Sequence, residues 1–280
     1  MWTVNLVLNG PSLLEACAEI MGLRVKVQEN STQVVVHDVD AADADEAFKK
    51  ALSAANQFLN TLSWKHNNHL EIQTRTFSEE LTESSGKKHV INSLAPASIV
   101  LEARITTVHK DSSGNIIGVS DSRKPGRINV NPSDAATYYR RARLTDDPFD
   151  RFRNLYLATE NVSDRIRMKR GLNKQELNEI YGVQSSELAL LRLALNECFE
   201  NNLHPLIGAT RIYTFDNNQS IVPQVAQMLY KGHRCQLDHS KASEDKKIPF
   251  NLQDEEEVKT ALPLMDFIAK SLLGYEETSL

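Results

Sequence analysis

The segment Leu229-Tyr230-Lys231-Gly232-His233-Arg234-Cys235-Gln236-Leu237-Asp238-His239-Ser240-Lys241 gathers the residue types that can do chemistry. Arg234 and His239 stand five positions apart. An imidazole with its ordinary pKa of ~6.5 exchanges protons at neutral pH. A guanidinium offers planar, paired donors to a negatively charged oxygen. Plainer uses are open to both. Arg234 and Asp238 are spaced i,i+4 and can pair on a helix surface, and His239 can donate to a neighbouring carbonyl. The spacing alone is not specific, since Arg104 and His109 repeat it on an expected strand. His233, Cys235 and His239 lack the paired knuckle of a zinc site, and no second Cys/His pair is near in sequence. No metal site is expected.

Other residues carry weaker signals. From Arg123 to Arg170 there are twelve Lys/Arg against six Asp/Glu, and from Glu244 to Leu280 four against nine. A basic helical face is the footprint of phosphate binding, and equally of a solvated face with acidic partners. Arg140, Arg141 and Arg143 form its short cluster, while Arg151 and Arg153 flank Phe152. Asp254-Glu255-Glu256-Glu257 reads as the acidic start of a helix. His204 reads as a cap on the carbonyls of a helix ending near Asn201. His66 and His69 read as surface loop after a helix. Walker, Rossmann, nucleophile-elbow and His-Glu-x-x-His patterns are all missing, so no cofactor is expected.

The elements that must position these residues change character along the chain. In the first half, Val4–Leu8, Arg24–Gln28, Gln33–Val39, Leu70–Phe77, Ser98–Thr106 and Ile116–Val119 read as strands, with Arg24–Gln28 and Gln33–Val39 paired through Asn30-Ser31. Ser12 is expected to cap a helix from Leu13 to Met21. Ala44–Trp64 is a strongly amphipathic helix, and Thr82–Asn92 reads as a polar loop. After Pro125-Gly126 and Asn131-Pro132 the pattern turns helical: Ala135–Arg143, Phe149–Lys169, Lys174–Tyr181, Glu187–Asn201, Gln219–Ser240 and Glu255–Leu273. Asp146-Asp147-Pro148 marks one start, and Ser186 is expected to cap another. The expected fold is α+β: a mixed α/β sheet domain over 1–130, of unassigned role, and an all-α bundle over 131–280.

The Arg234/His239 spacing, in the fourth main helix of an all-α unit, resembles a HEPN domain, whose signature is Arg, four to six residues, then His. The run Asp147-Pro148-Phe149-Asp150-Arg151-Phe152-Arg153-Asn154-Leu155-Tyr156-Leu157-Ala158-Thr159-Glu160, with Tyr230, Lys231, Arg234, Cys235 and His239 later, is similar to MauJ-type proteins of methylamine utilisation, which carry an Apea-like HEPN bundle. The resemblance covers about 133–275. It implies a metal-independent endoribonuclease that works as a homodimer in a stress or defence setting. In such chemistry the RNA 2′-OH attacks the adjacent phosphate, a base takes its proton, and an acid protonates the leaving 5′ oxygen. His239 would exchange protons and Arg234 would neutralise the phosphoryl oxygens. Arg153, Arg140, Arg141 and Lys241 would hold the substrate. Positions five apart differ by about 140° on a helix, so two copies meeting at a two-fold axis would complete the cleft. Many members carry Asn, Asp or His after the Arg, where this chain has Cys235. That departure suits a non-catalytic nucleotide- or RNA-binding module, or an accessory interaction protein.

Composition sets the outer limits. The chain has 280 residues, a net charge of −5, mean hydropathy of −0.40 and three cysteines. Collagen, low-complexity tethers and disulfide-stapled mini-proteins are excluded. No apolar run reaches the ~18 residues of a membrane span, and the first residues do not form a secretory signal. An odd, scattered cysteine set fits reduced thiols, so cytoplasmic residence without membrane partners is the expectation.

Overall fold

A computed structural model describes residues 1–9, 15–28, 31–66, 70–72, 79–83, 88–91, 108–110, 116–119, 126–127, 133–200, 202–238 and 251–279. The chain divides into two compact units, Met1–Pro132 and Ser133–Leu280. The first is sheet with one long helix and the second is helical, so the fold is α+β.

In the first unit, β1 (Trp2–Asn9), β2 (Ala16–Ile20), β3 (Leu23–Val27) and β4 (Gln33–Val39) are followed by α1 (Ala44–His66). After them come β5 (Glu71–Ile72), β6 (Glu79–Glu83), β7 (Lys88–Ile91), β8 (Val108–Lys110), β9 (Ile116–Val119) and β10 (Gly126–Arg127). The main sheet runs β10-β2-β3-β4-β1-β6-β7, with β5 also on β1, and β8 and β9 pair separately. All its pairings are antiparallel except β10 with β2. Period-two alternation buries Val4, Leu6 and Leu8, then Val25 and Val27, then Val34 and Val36, on one face. Helix α1 covers that face with Ala47, Ala51, Ala55, Phe58, Leu59 and Leu62, which recur at helical spacing. Asp45 and Glu46 sit in its first turn, where the helix dipole favours carboxylates.

Two expectations fail in this unit. The helix expected over Leu13–Met21 is a strand where it is described: Ala16, Ala18 and Ile20 are buried in alternation, and Ala16–Ile20 pairs antiparallel with β3. The connection is Met21-Gly22, both at positive φ (53° and 75°), the two-residue turn that suits the twist of a hairpin. Thr82–Asn92 is not all loop, because β6 pairs with β7 in register from Glu79↔Ile91 to Thr82↔Lys88. The expected strand at Ser98–Thr106 and the end of Leu70–Phe77 lie outside the described residues.

The second unit holds α2 (Asp134–Leu144), α3 (Pro148–Lys169), α4 (Lys174–Tyr181), α5 (Ser186–Phe199), α6 (His204–Ala209) and α7 (Ile221–Leu229). A π-helical turn (Tyr230–Arg234) then leads into α8 (Cys235–Asp238), and α9 (Leu252–Ser279) ends the unit. Helix α3 lies at the centre, packed by α2, α5 and α9. Its stripe Phe152, Leu155, Tyr156, Thr159, Val162 and Ile166 is buried throughout. Pro148 opens α3, and the Asp150 N–H donates to Asp147 Oδ1 at 2.8 Å. Ser133 caps α2, and its hydroxyl donates to Glu276 on α9, which also holds Arg165. The cap of α5 is Ser185, one residue before the expected Ser186. His204 begins α6 instead of ending a helix, its N–H donating to Asn202 Oδ1 at 3.0 Å.

Candidate functional site

The π-helical turn places the guanidinium. One extra residue in a helical turn shifts the side chains on either side relative to each other, a device found often at functional sites. His233 and Arg234 close that turn. His233 points inward, is 8% exposed, and packs against Phe152 with ring centroids 5.4 Å apart. Arg234 reaches across to the first turn of α5, where its Nη2 donates to Glu187 Oε1 at 3.0 Å. The pair is half-buried, with side chains 24% and 34% exposed. Among the described residues nothing hydrogen-bonds to the buried Glu187 Oε2.

Arg234 lines a small open recess with Leu237 of α8 and Phe152, Arg153, Tyr156, Leu157 and Glu160 of α3. Its volume is about 30 Å³, room for a water or two and too small for a whole nucleotide. Arg153 stands at the exposed rim and pairs with Asp150 at 2.9 Å. Behind the recess a second, tighter void is lined by Tyr156, Thr159, Glu160, Ser163 and Glu187. Glu160 borders both. Its carboxyl is pushed up from its ordinary range, first by burial and then by the charge of Glu187 and of Asp164, while Arg234 and Lys174 pull it down. Burial, with Glu160 and Glu187 adding to it, holds the Tyr156 phenol well above its ordinary value. Tyr156 is therefore a hydrogen-bond donor at any physiological pH. The Ser185 hydroxyl donates to Tyr230 Oη at 2.7 Å, anchoring the π-helical turn to the start of α5.

The residues singled out by sequence fall as follows. Arg234 and Arg153 share one recess. Arg141 is exposed on α2, whereas Arg140, on the inner face with Ala136 and Tyr139, is only 7% exposed. Solvent thus reaches Arg141 far more than Arg140. Arg143 faces Asp266 on α9 at 3.8 Å, the ion pair with the acidic C-terminal helix that the charge pattern allowed. His239 and Lys241 lie outside the described residues, as does the side chain of Asp238. Sequence reading missed Glu187 as the partner of Arg234, because the two stand 47 positions apart. It also missed Glu160; its signal was a carboxylate one turn after Tyr156 on the inward stripe of α3. Among the described residues no group of three or more His, Cys, Asp or Glu can hold a metal ion. No described helix is long and apolar enough to cross a membrane. Cys17, Cys198 and Cys235 are free thiols.

A family model described as "Methylamine utilization protein MauJ" matches residues 135–273. The match covers the helical unit and supports a MauJ-type protein. A search of curated proteins and a search of solved structures each found no match.

Proposed function

We propose, from a MauJ-type helical unit with a recess at Arg234, that this unit is a HEPN-type module that engages RNA phosphodiesters and cleaves them without metal. The observation that carries the reading is the meeting of two guanidiniums, Arg153 and Arg234, in one recess. Guanidinium pairs suit phosphodiesters because their planar donors match two oxygens at once. In the reaction, His239 removes the 2′-OH proton and returns a proton to the 5′ oxygen, while Arg234 offsets charge growing on the phosphoryl oxygens. Arg153 and Arg141 hold flanking phosphates, and Lys241 adds a further cation for the substrate. The HEPN resemblance supplies the homodimer, the cytoplasmic stress or defence setting and the role of His239. The test is incubation of end-labelled RNA with the full chain and with Arg234→Ala and His239→Ala. Cleavage in excess chelator by wild type, lost in both variants, is expected. Full activity in either variant ends the assignment of that residue.

A second reading rests on a specific contact. Arg234 is engaged by Glu187 at 3.0 Å and the recess is small, which suits an RNA-binding or accessory module without turnover. Tight RNA binding with no product, unchanged in His239→Ala, would favour it.

A further inference from the structure

The charges around the recess do not by themselves welcome an anion. Arg153 is engaged by Asp150, and Arg234 by Glu187. Glu160 is a third carboxylate against the two guanidiniums and lines the same wall. With every group ionised the recess carries one net negative charge, and a phosphodiester would bring another. Removing one carboxylate charge resolves the conflict. Glu160 is the carboxylate that borders both the recess with Arg153 and Arg234 and the inner void with Glu187.

We infer that the recess binds a phosphodiester together with one proton, taken up by Glu160, whose neutral carboxyl then donates a hydrogen bond to a phosphoryl oxygen held by Arg153 and Arg234. The inference rests on the phosphodiester reading above and deepens it. The proton balance is simple: solvent supplies one proton on binding and recovers it on release. A neutral carboxylic acid adds one O–H donor to a site whose other donors are the two guanidiniums and the Tyr156 phenol. Burial and the neighbouring Glu187 already favour the protonated form. The groups facing Glu160 are Tyr156 and Asp164 on its own helix, Lys174 on α4, Glu187 on α5 and Arg234 on the π-helical turn. His233 lies on that same turn against Phe152.

The experiment follows binding of a fully 2′-O-methylated RNA oligonucleotide, which cannot be cleaved, by fluorescence anisotropy from pH 5 to 8. Wild type should lose affinity by up to about tenfold per pH unit once Glu160 ionises. Glu160→Gln, neutral at every pH and still a donor, should lack that component and bind more tightly than wild type at pH 8. Equal pH slopes in the two proteins, or weaker binding by Glu160→Gln throughout, overturn the inference. Calorimetry of His239→Ala in two buffers of different ionisation enthalpy gives a second reading free of that imidazole's proton. Uptake approaching one proton per site supports the inference, and none at any pH overturns it. Binding with the expected slopes, but no cleavage of unmodified RNA, overturns the ribonuclease reading and leaves Glu160 in place. No binding by wild type at any pH overturns both.

Discussion

Replacing Glu187 and Arg234 by alanine, singly and together, measures how the recess is built. At 3.0 Å two unit charges attract by about 5–6 kcal/mol at an effective dielectric of ~20. Desolvation offsets most of that, and fully exposed pairs retain only ~0.2–1 kcal/mol. With side chains 24% and 34% exposed, the pair lies between these limits, and its coupling energy should be about 1–2 kcal/mol. The single truncations should be unequal. Without Glu187, Glu160 ionises more readily and takes over part of the neutralisation of Arg234. Without Arg234, the two carboxylates that line the inner void lose the guanidinium they share. Arg234→Ala should therefore cost about 2–3 kcal/mol near neutral pH, and less as the pH falls and Glu160, its carboxyl raised by burial and by Glu187, takes up a proton. Glu187→Ala should cost less than Arg234→Ala. Urea unfolding of the four proteins reads these differences. With a slope of ~2 kcal/mol/M, a coupling of ~1.5 kcal/mol is a midpoint offset of about 0.7 M. Additivity of the two substitutions within ~0.3 kcal/mol would show that the side chains do not meet, and the described recess would fall with them.

Three other outcomes follow from the structure. Because Glu160 has a raised folded pKa, its contribution to stability is full below the ordinary value of 4.5 and is lost as pH rises through the raised value; Glu160→Gln should gain on wild type over that rise, and parallel stability curves would contradict the burial. Gly182 ends α4 at φ +61° with open space around it, so Gly182→Ala should cost about 1 kcal/mol from the backbone alone. Gly232, helical and equally open, should gain ~0.5–1 kcal/mol as Ala, and thermal denaturation of the two variants should move in opposite directions. Burial pushes the Cys198 thiol from 9.0 up to about 11. At pH 8 its thiolate is about a hundredfold scarcer than that of an ordinary thiol, partly offset by the greater nucleophilicity of a more basic thiolate, so iodoacetamide labelling read by mass spectrometry should be slower by about tenfold or more; labelling at the rate of a free thiol would place Cys198 at the surface.

Helices with a long apolar stripe were legible in the sequence. Phe152 to Ile166 in α3 and Ala47 to Leu62 in α1 repeat the 3.6 period over several turns, and tertiary packing uses that face. Asp147-Pro148 was legible because the cap acts locally. The strand at Ala16–Ile20 was not, since Ala and Glu favour helix and the deciding contacts come from β3. Glu79–Glu83 carries one apolar residue in five, so its pairing with β7 left no alternation to read. At the recess, Arg234 and Arg153 were visible as residue types and Glu187 was not, because helix-start acids look alike whether or not a distant arginine needs them. The burial of Arg140 could have been found: it follows Ala136 by four and Tyr139 by one on the stripe that α2 turns inward.

The reading of the recess as a ribonuclease site turns on the 2′ oxygen. An RNA carrying a single 2′-deoxy nucleotide at the mapped cleavage position, compared with the unmodified strand in excess chelator, isolates it. The expected result is a 2′,3′-cyclic phosphate and a 5′-hydroxyl from the unmodified strand, no cut at the deoxy position, and equal binding of the two. Cleavage at the deoxy position, or products ending in a 5′-phosphate, would contradict attack by the neighbouring hydroxyl and the roles given to Arg234 and His239.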